Sequence, residues 1–276
     1  MIPGAAGRMP ALRPAGVALA AGLALALAGC GRSKGDAVNV IGSTSVQPFA
    51  EMLAEEFGAR NPGLRVEVQG GGSSQGVQMT IDGTAQLGMC SRDLKKEEIA
   101  QGLTPIQIAR DGLAVIIHPG NAVNALTRQQ IQKMFSGQTE NWQDVGGPDR
   151  PVRLIVREEG SGTREAFVKM IMGKVRISRR ALNQESNGAV KELVRNDPCA
   201  IGFMSLGLVT SELKAVTVDG VAPSAAAVKS GRYPLVRPFL FLTKGRPSPA
   251  AQKYIDFVLS PVGQQMLERE GLVGVK

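Results

Sequence analysis

Short apolar runs alternate along the chain with stretches in which apolar residues recur every three or four positions. The run Val38–Ile41 predicts a strand, and Val46–Arg60 predicts a helix because its apolar side chains fall on one face. Asn61-Pro62-Gly63 ends that helix. The same pattern predicts strands at Arg65–Gln69, Ala85–Cys90, Thr104–Ala109 and Leu113–Ile117, and a helix at Gly76–Asp82.

The alternation continues after His118-Pro119-Gly120. Thr127 is the predicted N-cap of a helix that reaches Phe135. Further strands are predicted at Pro151–Val156, Ala200–Met204 and Tyr233–Thr243, and further helices at Thr163–Met172, Gly188–Arg195, Ser248–Leu259 and Val262–Glu270. Repeated β-α alternation predicts an α/β fold with mostly parallel sheets, in which ligands bind beyond the carboxyl ends of the strands.

The first 29 residues differ from the rest. Arg8 and Arg13 precede an apolar stretch, Ala15–Ala28, that is too short for a comfortable transmembrane helix. It ends in Leu27-Ala28-Gly29-Cys30, which resembles a bacterial lipobox. We therefore expect a lipoprotein signal peptide at 1–29, lipidation of Cys30, and a polar tether at 30–36. The alternatives are an uncleaved anchor helix or a chance cysteine.

Composition and charge argue against several classes of partner and site. The chain has 276 residues with a formal net charge of +8, and removing the leader leaves 30 basic and 24 acidic residues. The basic residues are dispersed, which speaks against nucleic acid as a partner. His118 is the only histidine and there is no CxxC pair, so we expect no metal and no cofactor. Cys90 and Cys199 are expected as buried thiols, although a disulfide between them stays open.

Three loops rich in Gly, Ser and Thr each follow a predicted strand and precede a predicted helix. They are Gly42-Ser43-Thr44-Ser45, Gly70-Gly71-Gly72-Ser73-Ser74 and Gly160-Ser161-Gly162-Thr163. Unpaired backbone N–H groups, close-approaching glycines and hydroxyl donors together favour an anion. A single such loop would more simply be helix capping, but three in one chain indicate a shared anion site.

The third loop follows Arg157, which stands at the end of a predicted strand. A guanidinium there can bind an oxyanion through two hydrogen bonds. The alternative is a surface arginine that pairs with Glu158 or Glu159.

These segments resemble the phosphate-binding receptors of ABC importers, in their bacterial lipoprotein branch. The matching segments are Ile41–Ser45, Gly72–Ser74, Cys90–Leu94, Asp111–Val115, Asn141-Trp142, Arg157–Arg164, Ala200–Phe203 and Leu259–Gln265. The resemblance implies a type II periplasmic-binding-protein fold, in which two lobes with mostly parallel sheets are joined by a hinge and close around phosphate. It also implies importer permease subunits as partners, a monomer, and binding without catalysis.

The family's ligand positions map onto seven residues: Thr44, Ser45, Ser73, Arg157, Ser161, Gly162 and Thr163. Relatives carry an Asp where this chain has Arg92. An ionised carboxylate accepts a hydrogen bond from protonated phosphate and repels sulfate. If Arg92 occupies that place in the site, another acid must accept the proton. Asp111 is the candidate, with Asp93 as a weaker one and a plain turn role for Asp111 as the alternative.

We expect the chain to cross between lobes at His118-Pro119 and near Val236. One lobe then comprises 37–117 plus 236–276, and the other 118–235. The only tryptophan, Trp142, is either a structural anchor or an importer-facing residue.

Three other functions compete. A serine hydrolase is disfavoured because Glu159-Gly160-Ser161-Gly162 is not a G-x-S-x-G elbow and His118 is the only candidate base. A receptor for sulfate, molybdate or another tetrahedral oxyanion is the nearest alternative. The third is a surface lipoprotein that senses or adheres and serves no importer.

Overall fold

A computed structural model describes residues 37–275 of the chain. The predicted signal peptide 1–29, the tether 30–36 and the lipidation site Cys30 lie outside the described residues, and their assignment stays a prediction.

The described part alternates strands and helices, as the hydrophobic pattern predicts. Its strands are β1 Ala37–Gly42, β2 Arg65–Gly70, β3 Leu87–Cys90, β4 Leu103–Ile117, β5 Ala125–Leu126, β6 Arg153–Arg157, β7 Leu182–Gln184, β8 Ala200–Ser205, β9 Lys214–Ala215, β10 Thr217–Val218 and β11 Val236–Lys244. Its α-helices are α1 Gln47–Arg60, α2 Ser73–Ile81, α3 Lys96–Ala100, α4 Arg128–Ser136, α5 Gly162–Phe167, α6 Asn187–Asn196, α7 Ala225–Lys229, α8 Pro249–Val258 and α9 Pro261–Arg269.

The main sheet runs in the order β2-β1-β3-β11-β4-β8-β6-β7. Its two ends are parallel, because β1 pairs with β2 and β3, and β6 with β7 and β8. The two central strands, β4 and β11, run antiparallel to each other and to their outer neighbours. The α/β fold with a mostly parallel sheet is thereby confirmed.

Strand β4 joins the two ends of the sheet. Where the sequence predicts two strands separated at Asp111-Gly112, the structure has one strand of 15 residues. Leu103 to Gly112 pair with β11, and Leu113 to Ile117 pair with β8. An antiparallel ladder on each side keeps the backbone hydrogen-bonded through this stretch, so no turn is needed.

Separate apolar clusters lie on either side of the point where β4 changes its pairing from β11 to β8. One packs α1 and α8 against β1, β11 and the first part of β4, with Phe57, Phe241 and Tyr254 at its centre. Another packs around Trp142 and Phe203 and includes Leu113 from the second part of β4. The lobe boundaries at 118 and 236 stay predictions, and the change of strand partner at Gly112–Leu113 is where the backbone leaves one cluster for the other.

The predicted N-cap of α4 is present in the structure. The Thr127 hydroxyl accepts a hydrogen bond from the Gln130 N–H and caps α4, which confirms that prediction. The helix predicted over Thr163–Met172 begins as α5 and ends in a π-helical turn, Val168–Met172. Within residues 37–275, every helix falls short of the length and apolar character needed to cross a membrane.

Candidate anion-binding site

The three Gly/Ser/Thr loops meet at one edge of the sheet. Loops one and two follow the parallel strands β1 and β2, and the Gly71 N–H donates to Gly42 O at 2.8 Å. Loop three follows β6 from the other end of the sheet, and Gly160 O accepts from the Ser74 N–H at 3.0 Å. Parallel strands place their carboxyl ends at one edge, which is why loops distant in sequence converge here.

Gly162 marks the tightest approach between loops two and three. A Cβ built on it would lie 2.2 Å from Ser73 Oγ, 2.7 Å from Ser91 Oγ and 2.9 Å from Ser73 Cβ. All three distances are shorter than any real Cβ contact, so only glycine permits this approach.

Hydroxyl groups from loops one and three touch directly. Ser45 Oγ lies 2.7 Å from Thr163 Oγ1, and Asn187 Nδ2 donates to Ser45 Oγ at 2.9 Å. Thr163 Oγ1 also accepts from Arg237 Nη1 at 2.7 Å. Each hydroxyl has one proton, and only one proton can lie between Ser45 and Thr163. In either arrangement the other hydroxyl keeps a proton that no described protein atom accepts.

Loop two contributes Ser73, at the first turn of α2. Its hydroxyl is fully buried, accepts from the Ser91 N–H at 3.1 Å and lies 3.4 Å from Ser91 Oγ. Ser91 follows β3, so a fourth strand end reaches the same cluster.

Arg157 lies beneath loops one and three and is 1% exposed. Its Nε and Nη2 donate to the carboxylate of Glu158, each at 2.8 Å. Nη2 also donates to Thr44 Oγ1 at 3.0 Å. Its Nη1 is buried and has no acceptor among residues 37–275. A buried guanidinium nitrogen without an acceptor is costly, and an oxyanion satisfies it.

The ion pair with Glu158 is the alternative that the sequence left open for Arg157. The structure contains this pair, but the arginine is buried rather than on the surface. The pair and the anion are compatible because Glu158 occupies Nε and Nη2 and leaves Nη1 available.

Asp111 is buried on β4 and engaged on both oxygens. Its Oδ2 accepts from Arg237 Nε at 2.9 Å and lies 2.9 Å from Arg237 Nη2, and its Oδ1 accepts from Ser205 Oγ at 2.8 Å. Burial raises the pKa of Asp111, while Arg237, Ser205 and a hydrogen bond to the Gly207 backbone oppose that rise. A carboxylate offers about four acceptor positions, and hydrogen bonds from Arg237 Nε, the Ser205 hydroxyl and the Gly207 backbone engage three of them.

Arg92 does not join the hydroxyl cluster. Its Nη1 and Nη2 donate to the two oxygens of Glu98 at 2.9 Å and 2.8 Å, and its Nε lies 3.0 Å from Glu165 Oε1. Burial opposes ionisation of Glu98, but the hydrogen bonds from Arg92 and the Lys95 backbone outweigh it and lower the pKa of Glu98. Asp93 likewise turns away and pairs with Lys169 at 2.7 Å.

Ser161 and the two cysteines of the described residues have ordinary structural roles. Ser161 is buried, and its hydroxyl caps α5 by accepting from the Arg164 N–H at 3.3 Å. Cys90 and Cys199 are both free thiols. Cys90 is buried as predicted, but the prediction of burial is wrong for Cys199, which is half-buried. Burial raises the pKa of Cys90, so its thiol stays protonated and unreactive near neutral pH.

The sequence analysis missed Arg237 and Asn187 as candidates. Arg237 left a signal, because it is a charged residue inside the otherwise apolar predicted strand Tyr233–Thr243. Asn187 stands directly before the predicted helix Gly188–Arg195 and gave no signal distinct from capping.

The chain is similar to known phosphate-binding proteins over most of its length. The family model of the PBP superfamily domain matches residues 31–262. The phosphate-binding protein PstS of Bacillus subtilis is 31% identical over 81% of this chain and 75% of its own. The protein of the same name from Borreliella burgdorferi is 28% identical over 87% of this chain and 90% of its own.

Two solved structures extend the similarity to the fold. A Clostridium perfringens protein assigned as a phosphate ABC transporter substrate-binding protein, solved with bound phosphate, has a TM-score of 0.85 and 37% identity over 87% of this chain and 100% of its own. An ABC-type phosphate transport receptor from Vibrio cholerae has a TM-score of 0.72 and 33% identity over 86% of this chain and 99% of its own.

Proposed function

Because the chain belongs to the PstS family of phosphate-binding proteins within the PBP superfamily, we propose that it binds inorganic phosphate outside the cytoplasmic membrane and delivers it to an ABC importer. The permease subunits of that importer are its proposed partners. The protein acts as a monomer and releases the anion unchanged.

One observation carries the proposal at the site. The buried cluster holds donors without acceptors, namely Nη1 of Arg157 and one hydroxyl proton of the Ser45–Thr163 pair. Donors of this kind are matched by a small oxyanion with several lone pairs. The proposed phosphate site is completed by four neighbouring residues of the three loops: Thr44, Ser73, Ser161 and Gly162.

The contacts between loops support binding by closure. Loops one and two belong to one end of the sheet and loop three to the other, and they touch through Ser45–Thr163 and Ser74–Gly160. An anion held between them adds attraction across the same interface. Phosphate binding then favours the closed arrangement of the two lobes over an open one.

Two observations support the absence of catalysis. The Ser161 hydroxyl is engaged as a helix cap, and the lone His118 accepts from the Gly120 N–H through Nδ1 and makes no hydrogen bond to a serine within residues 37–275. A nucleophile without an adjacent base is not activated.

The hydrogen bonding of Asp111 also favours a second candidate function, that of a receptor for sulfate or another tetrahedral oxyanion. Both oxygens of Asp111 already accept hydrogen bonds from protein groups, and Arg237 Nη2 lies 2.9 Å from Oδ2, so the carboxylate is poorly placed to accept the proton of phosphate. Discrimination against sulfate, which has no proton, then depends on other oxygens of the site.

Calorimetric titration of the purified protein with phosphate, repeated in excess sulfate, tests both candidates. We expect saturable 1:1 binding with a dissociation constant in the micromolar range or tighter and no phosphate consumed. Binding of sulfate in preference to phosphate would replace the first candidate with the second.

Membrane attachment through a lipid on Cys30 is proposed separately, on the lipobox-like segment before it. Cys30→Ser should move the protein from the membrane fraction to the soluble fraction and abolish labelling by radioactive fatty acid. Membrane retention of that variant would contradict the proposed anchor.

A further inference from the structure

Arg237 reaches the hydroxyl cluster from the centre of the sheet. It lies on β11 and is 3% exposed. Its Nη1 donates to Thr163 Oγ1 at 2.7 Å and to Ser91 O at 3.4 Å. The guanidinium therefore contacts loop three and the end of β3 together.

The orientation of Arg237 is fixed by its neighbours on the sheet. Asp111 is its direct partner in the β4–β11 register, and both Nε and Nη2 lie 2.9 Å from Asp111 Oδ2. The guanidinium also lies over the ring of Phe239, 5.3 Å from its centroid. An arginine held on three sides keeps its remaining N–H groups aimed in one direction.

Continuous contacts connect Arg237 with Arg157. Arg157 donates to Thr44, Thr44 adjoins Ser45, and the Ser45 hydroxyl touches Thr163, which accepts from Arg237. Two buried guanidinium groups thus border one small set of hydroxyls. Nη1 of Arg157 makes no hydrogen bond within residues 37–275, and Nη2 of Arg237 lies 2.9 Å from Asp111 Oδ2 without the geometry of a hydrogen bond.

The mutual repulsion of the two arginines favours an anion between them. Burial lowers the pKa of Arg237, Asp111 opposes this, and repulsion from the Arg157 charge lowers it further. Glu158 and Asp111 each form an ion pair with their own arginine. An oxyanion at the hydroxyls attracts both cations and relieves their mutual repulsion.

Building on the proposed function, we infer that Arg237 is a second cationic residue of the phosphate site, contacting the oxyanion together with Arg157, and that Asp111 is the positioning residue that holds it. The site then binds phosphate between two guanidinium groups, each already paired with a carboxylate. Asp111 acts through Arg237 rather than as the acceptor of the ligand's proton.

A double variant removes the second cation without stranding a buried charge. Arg237→Gln with Asp111→Asn replaces the ion pair by two amides that can hydrogen-bond to each other, whereas either change alone leaves an unpaired buried charge. Arg237→Lys keeps the charge but loses the planar fork. Arg246→Gln is the matched control, since Arg246 is exposed just after β11.

Titration calorimetry measures phosphate affinity for each protein, and circular dichroism checks the fold. We expect the control to bind like the wild type, Arg237→Lys to bind at least threefold more weakly, and the double variant at least tenfold more weakly. A folded double variant with wild-type affinity would overturn this inference alone. A wild-type protein that does not bind phosphate would overturn the proposed function as well.

Asp111→Asn separates positioning from proton acceptance. If Asp111 only positions Arg237, the variant loses affinity for phosphate and for arsenate, which also carries a proton, and gains no sulfate binding. If sulfate competes with phosphate in this variant but not in the wild type, Asp111 is the acceptor of the phosphate proton. That result would overturn the positioning role that we infer for it. A phosphate complex in which every Arg237 nitrogen lies beyond about 3.5 Å from the ligand oxygens would do the same.

Discussion

Replacing Gly162 with alanine changes no charge and removes no hydrogen-bonding group, yet it should impair phosphate binding. The added Cβ would lie 2.2 Å from Ser73 Oγ, at least about 0.8 Å inside the 3.0 Å limit of real contacts. Rotation of the Ser73 hydroxyl cannot relieve the overlap, because the Ser73 Cβ is itself only 2.9 Å away. Loops two and three must therefore separate.

The cost of forcing an extra methyl group into a packed contact is about 1–3 kcal/mol. If the loops separate when the lobes open, this cost falls on the closed, ligand-bound state more than on folding. Phosphate affinity should then fall by about 5- to 150-fold, while the melting temperature without ligand changes little. Titration calorimetry and thermal unfolding measure the two quantities.

Gly188→Ala is the matched control for this variant. Gly188 lies in α6, and the atom nearest to an added Cβ is Ser186 Oγ at 3.7 Å. The Gly188→Ala variant should bind phosphate like the wild type, and its free energy of unfolding should rise by about 0.4–1 kcal/mol. The reasoning fails if Gly162→Ala binds phosphate as tightly as the Gly188→Ala control.

Three other substitutions test the remaining charged groups. Arg157→Ala should weaken phosphate binding about 30-fold or more, because truncating a buried charge contact costs at least about 2 kcal/mol; near-normal calorimetric affinity would remove Arg157 from the site. Glu98→Gln should lose less stability than the wild type on acidification: the pKa of Glu98 is lowered by folding, so its contribution is present above its unfolded pKa of about 4.3 and is lost as the pH falls through the folded value. Urea midpoints at about pH 7 and pH 3.5 compare the two proteins, and parallel losses would contradict the role given to Glu98. Arg92→Gln should lower the free energy of unfolding by about 3 kcal/mol and affect phosphate affinity less than Arg157→Ala; the reverse order would place Arg92 at the anion.

The fold and the three loops could be predicted from the sequence because their signals are local. Alternating apolar runs fix strands and helices, and Gly/Ser/Thr segments at their junctions mark loops such as the one at Ser45. The convergence of these loops follows from parallel strands ending at one edge. Arg157 could be proposed for the same reason, since it stands in sequence next to its loop.

The pairings of the remaining charged side chains could not be predicted, because they depend on register between distant strands. Arg237 and Asp111 are direct partners across β11 and β4, although 126 positions separate them. Arg92 was expected at the ligand because of its place after Ser91, but Glu98 and Glu165 determine where its guanidinium lies. Adjacency in sequence indicates a loop and does not indicate which way a long side chain turns.

The position of β11 also sets the order in which the chain can fold. It pairs with both β3 and β4, so the sheet that begins with β1 stays incomplete until Val236–Lys244 has been synthesised. Bringing strands together across more than 100 residues requires closure of a long loop before any contact compensates its entropy, which slows folding. A nascent chain of this topology can pair β1 with β2 and β3 early, but it completes its sheet only when Val236–Lys244 arrives. For a protein proposed to act outside the cytoplasmic membrane, slow folding prolongs the period in which the chain is extended enough to be exported.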